Sequence, residues 1–156
     1  MAQGTVKWFA QGLMDIMNKL HDWDTDTIKL GIVTTATVPA IDTAAPHWGG
    51  TGTTNFATNQ VGTGGTSYTG PQTIGSKSTT LVTGGVELRA GNISLAQDAS
   101  GFTTGAYGII YNDTDTNKRA LGYIELSSAG AASLVAGPVA IDWNGANNVV
   151  FNILQS

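Results

Sequence analysis

Cysteine is absent from this chain, which excludes disulfides, thiolate metal sites and cysteine nucleophiles. Histidine is nearly absent: His21 and His47 are the only two, too few for an imidazole metal cluster. Charge is scarce as well, at 12% of residues, about half the usual fraction for a soluble protein. The 7 basic and 11 acidic side chains leave a net charge of −4. A nucleic-acid binder needs a basic face, because phosphate neutralisation supplies most of its affinity. Here Lys7, Lys19, Lys29, Lys77, Arg89, Lys118 and Arg119 are scattered along the chain, so no nucleic-acid partner is expected. Long apolar runs are missing too, and no membrane partner is expected. No basic region followed by an apolar run opens the chain, so synthesis in a cytoplasm is expected.

The 156 residues suit one domain, which at this size buries roughly 70% of its unfolded surface. Its opening, "GTVKWF", resembles the first strand of the bacterial cold-shock barrels, with Lys7 for phosphate and Trp8 and Phe9 as stacking platforms. The residues after Phe9 depart from that family. Val6, Phe9, Leu13, Ile16 and Leu20 recur in steps of three and four, the helical period, and no second aromatic strand appears. The spacing predicts an amphipathic helix over 5–21, with Thr5 as N-cap and Gly12 as a weak point costing up to about 1 kcal/mol. Such a helix would cover one face or end of a sheet, or dock on a neighbouring subunit.

"DTIKLGIVTT" alternates Ile28, Leu30 and Ile32 and reads as a half-buried strand. The chain then changes character. No charged residue occurs in the 34 positions between Asp42 and Lys77, and Gly49–Thr79 holds eight glycines and nine threonines in 31 residues. A loop of this length without regular structure is uncommon unless it is functional or disordered. Trp48, Phe56 and Tyr68 punctuate it, which suggests an extended arm over 36–79 with aromatic anchors for a partner surface. A loop packed on its own domain is the other reading. Beyond residue 79, "TTLVTGGVELRAG", "NISLAQ", "YGIIYNDTDTNKRALGYIEL", "ASLVAGPVAIDW" and "NNVVFNIL" read as strands, with "NDTDTNKR" as a hairpin turn. The expected fold is mainly β: an antiparallel β-sandwich or jelly-roll-like core, from 27–35 plus 80–156, with one N-terminal helix and the arm.

Chemistry is hard to find. "DWDTDT" places Asp22, Asp24 and Asp26 like the first half of a calcium loop, but Thr27 and Val33 stand where Gly and Glu are required. "DTDTN" at Asp113, Asp115 and Asn117 fails in the same way, with Lys118 and Ile124. His47 in "PHWGG" has no nucleophile partner that the sequence selects. "GTGGTS" at 62–67 has the glycines of a phosphate loop without its lysine or following helix. The reading is a non-enzyme with no cofactor and no metal.

Three stretches, "GTVKWFAQGLMDIMNKLHDWDTDTIKLGIVT", "PHWGGTGTTNFATNQV" and "GIIYNDTDTNKRALGYIEL", resemble small tailed-bacteriophage structural proteins of the head-decoration, or capsid cement, type. The resemblance implies a virion protein on the capsid surface that binds the major capsid protein and bridges its subunits. It also implies self-association as a homodimer or homotrimer, and it carries no catalytic residues. Trp8, Phe9, His47, Trp48, Phe56 and Tyr68 are the residues expected at capsid or subunit contacts. On that reading Trp48→Ala weakens attachment and leaves melting unchanged. Two alternatives stay open at this point. One is a tail or baseplate component, and the other is a carbohydrate-binding module using Trp48 and Tyr68 as sugar platforms.

Overall fold

Two stretches that read as one hairpin, around Ile109 and Tyr123, form the centre of the largest sheet. The computed structural model describes residues 5–155, so Gly4 of the quoted opening lies outside the described residues. In chain order the elements are β1 (Lys7–Trp8), α1 (Ala10–Met17), β2 (Ile28–Val33), β3 (Pro46–His47), β4 (Thr54–Asn55), a 3-10 turn (Phe56–Asn59) and β5 (Gln72–Thr73). They continue with β6 (Ser78–Val82), β7 (Gly85–Arg89), β8 (Ile93–Leu95), β9 (Tyr107–Asn112), β10 (Ala120–Glu125), β11 (Val139–Ile141) and β12 (Val149–Leu154). The fold is mainly β, with one α-helix among the described residues, and its sheets are antiparallel apart from the two-residue pair β3–β4.

The main sheet runs β1-β10-β9-β2-β5, and a second sheet runs β12-β7-β6. Every residue of β9 is buried, which means both faces of the main sheet are covered. Leu30, Ile32, Ile110, Leu121 and Ile124 share one cluster with Leu88 and Phe151 of the second sheet and Ile93 of β8. On the opposite face Val33, Ile109, Tyr111 and Tyr123 pack with Phe9, Trp48 and Phe56. The period-two alternation of β2 and β9 sends successive side chains to these two clusters.

The predicted helix over 5–21 differs at both ends. Residues 7 and 8 are strand, paired with Tyr123 and Gly122, and helix begins only at Ala10. The N-cap is Phe9, which makes no side-chain capping bond, and Thr5 plays no part. The edge of β10 offers backbone partners there, and Trp8 stacks on Phe151 at 3.9 Å, so tertiary contacts override the helical period. Gly12 is a packing requirement, since a Cβ there would collide with the Leu121 backbone. Its absence lets α1 lie flat on β10.

Candidate functional site

The neutral Gly/Thr-rich segment supplies most of the aromatic residues expected at contacts, and it does not extend from the domain. It folds back around β2. On one face Trp48 covers Gly31, where any Cβ would overlap its ring, and stacks on Tyr111 at 5.3 Å and 7°. The Trp48 amide donates to the Lys118 carbonyl at 2.9 Å, and a Cβ at Gly50 would strike the Asn117 backbone. Phe56 stacks with Phe9 at 5.8 Å, and Phe9 lies 5.1 Å from Tyr123. Tyr68 lies on the other face, edge-on to Phe102, and its hydroxyl accepts from the Ile32 amide at 2.9 Å and Gln60 Nε2 at 3.3 Å. Burial pushes the Tyr68 phenol up, as the neutral form is favoured where water is excluded.

Trp48 is 6% exposed and Phe56 and Tyr68 are 0% exposed, so the expectation of a free aromatic arm is corrected. Neutrality is the physical reason. A segment without charge can bury its aromatic side chains with little desolvation penalty, so the domain itself takes the anchors. Sugar stacking on Trp48 and Tyr68 is excluded by the same burial. Phe9 is fully buried, and Trp8 is only partly open beneath Phe151. His47 is buried, forms a bridge with Arg119, and its Nδ1 has no hydrogen-bond partner among the described residues. Burial pushes its imidazole below the ordinary value.

The two acidic motifs meet and complete each other. Asp22 Oδ1 accepts from the amides of Asp24 and Thr25, and Asn112 Oδ1 accepts from those of Thr114 and Asp115. Asn112 Nδ2 donates to Asp26 Oδ2 at 2.6 Å and meets His21 Nδ1 at 3.0 Å. With Nδ1 accepting, the neutral ring holds its proton on Nε2, which faces Asp15 Oδ2 at 3.9 Å. Burial lowers the His21 pKa against the raising effect of Asp15. Lys29 and Lys118 pair with Asp113 at 2.7 and 2.6 Å, and Arg119 pairs with Asp115 at 3.0 Å. Burial alone would raise Asp113, but its bonds to Lys118 and Lys29 outweigh this and hold it low. These carboxylates are engaged by amides and cations, and the arrangement ties the loop after α1 to the β9–β10 turn.

The "GTGGTS" loop does cradle an anion, and that anion is part of the chain. Asp98 Oδ2 accepts from the Thr66 and Ser67 amides at 2.6 and 2.9 Å, and Asp98 Oδ1 from the Ser100 amide at 2.9 Å. These bonds hold its pKa down to about 2. The site a phosphate would need is already filled.

The solvent-exposed surface also carries several large apolar side chains. Helix α1 buries Gly12 and Asp15 and exposes Met14 and Met17, the latter at 73%. Leu20 beyond its end is exposed, as are Val38 and Ile41, and Ile41 is tethered to the helix start by the bond from the Ala10 amide. In the sequence, the signal for this face is Met17, which broadens the stripe of Val6, Phe9, Leu13, Ile16 and Leu20. Beside the helix, an open groove of about 480 Å³ is lined by Ile16, Trp23, Leu88, Val86 and Ile153. Among the described residues no helix is long and apolar enough to cross a membrane. The chain matches no protein-family profile, no curated protein and no solved structure.

Proposed function

We propose that this chain is a non-enzymatic virion structural protein that binds the outer surface of a tailed-phage capsid and bridges neighbouring major capsid subunits. The observation that carries the reading is the outer face of α1: Gly12 and Asp15 are buried and Ile16 packs against the core, while Met14 and Met17 are turned out. A domain whose core is already closed has no internal use for those side chains. Methionines on a rigid helix form an adaptable apolar surface, and a contiguous surface of this kind marks an interaction site. The three sequence stretches that resemble capsid cement proteins give the partner its identity, and many copies on one shell make a modest contact effective. In the same proposal the apposed sheets are a β-sandwich of jelly-roll kind, and no cofactor takes part.

Co-sedimentation with capsids lacking the protein tests this, with single-stranded DNA and a glycan resin as parallel baits. Saturable binding to capsids alone, at a fixed ratio to the major subunit, is the expected result. Met14→Asp with Met17→Asp should abolish that binding and leave the circular dichroism unchanged. Absence of capsid binding, with rings or tubes of the protein alone, would instead make it a tail or baseplate component.

A further inference from the structure

Strand β6 is an edge of its sheet, and among the described residues no strand pairs with its outer side. Natural edges are guarded by charge, proline, bulges or shortness. Ser78–Val82, "STTLV", has no charge and no proline, and it pairs with β7 over five successive positions without a bulge. The hairpin closes on Val82 and Gly85, so the alternation of the ladder turns the backbone groups of Thr80 toward β7. Those of Thr79 and Leu81 face outward. Leu81 is 85% exposed, the largest value among the large apolar residues described. It ends an apolar row that crosses the sheet through Val86 and Ile153, one row beyond the buried Leu88 and Phe151.

We propose that this edge pairs with the same edge of a second copy, antiparallel, about a two-fold axis through Thr80. In that register Thr79 faces Leu81 of the other copy on both sides of the axis, and each pair exchanges both N–H···O bonds. The register also continues the side-chain rows. Leu81 of one copy lies against Thr79 of the other, next to its Leu88, so the overhanging row runs into the neighbour's core row. Two Thr80 residues meet on the opposite face, a favourable cross-strand pair, and no like charges oppose within the strand. Lys77 precedes the strand, with Asp22 near it, and Asp24 Oδ1 accepts from the Thr79 hydroxyl at 3.0 Å, so one carboxylate borders each Thr79–Leu81 pair. Nothing in this pairing depends on the capsid reading.

The absence of cysteine makes the register directly testable. Thr80→Cys places two sulfurs across a non-hydrogen-bonded pair, with Cα atoms about 4.5 Å apart, within disulfide reach. Ser78→Cys places them roughly 14 Å apart, out of reach. Sedimentation equilibrium of the full chain should give twice the 16.1 kDa monomer mass. Mild oxidation should cross-link Thr80→Cys and leave Ser78→Cys uncross-linked. Leu81→Pro removes an outward N–H and should give a folded monomer. Leu81→Lys, which leaves the backbone intact, should weaken dimerisation by roughly tenfold or more. A monomer at all concentrations, a trimer, equal cross-linking at both positions, or undiminished dimerisation of Leu81→Lys would each overturn the proposal.

Discussion

Two sheet edges of this molecule are treated in opposite ways. The edge of β2 is covered along its whole length by the neutral segment. Ile28 and Ile32 carbonyls accept from the Ile74 and Val61 amides, Leu30 and Lys29 pair with β5, and the Ile32 amide donates to the Tyr68 hydroxyl. The edge of β6 has no such cover among the described residues. The long Gly/Thr-rich segment is therefore a guard for a strand, and its small residues let it follow the edge and cross to both faces. An unguarded edge elsewhere in the same chain then stands out as a surface for another chain.

The guarded edge is most sensitive at Trp48. Trp48→Ala removes the ring that fills the space above Gly31 and should cost about 3–5 kcal/mol, read as a shifted denaturant midpoint. An unchanged midpoint would restore Trp48 to the role of a free anchor. Tyr68→Phe keeps the ring and removes the acceptor for Ile32, an unsatisfied buried donor worth about 1–3 kcal/mol. Faster hydrogen exchange at the Ile32 amide is the accompanying signature.

Two smaller effects are read through pH. His21 and His47 both have lowered folded pKa values, so the unfolded chain binds the extra protons first. Stability should therefore be complete above the unfolded value of about 6.5 and decline as pH falls below it. Imidazole NMR titration should show both rings protonating below that value. Asp98 titrates at about 2 in the fold against an unperturbed 3.8. Its contribution is present above the unfolded value and lost as pH falls toward 2. Asp98→Asn should mimic that loss at neutral pH, seen as faster exchange of the Thr66 and Ser67 amides. The smallest effect belongs to the bare edge. Leu81→Ser should change monomer stability by no more than about 0.5 kcal/mol, because the side chain contacts solvent. A large loss there would mean that β6 is covered by its own chain.

Much of the β core was legible. The hairpin through "YNDTDTNKR", the strand at Ile28–Val33 and the strands near Ile93, Val139 and Val149 follow from alternation and turn residues acting over a few neighbours. In "TTLVTGGVELRAG" the Gly84–Gly85 pair marks the turn at residues 83–84 between β6 and β7, where Gly84 has φ +78°. The short strands β3, β4 and β5 were not, because nothing in their composition distinguishes them from loop. Trp48, Phe56 and Tyr68 were misread as free anchors for a related reason. An aromatic ring in a neutral segment has the same sequence signature whether its pocket lies on a partner or on its own sheet.

Composition and local backbone preference were enough to establish the absence of thiol chemistry, the shortage of charge, and the antiparallel hairpins. Long-range packing settled the rest: which face each aromatic occupies, that Asp98 fills the glycine loop, and that α1 turns its methionines outward. Those outcomes depend on residues far apart in the chain, such as Gly12 with Leu121 and Tyr68 with Ile32, whose meeting no local pattern encodes.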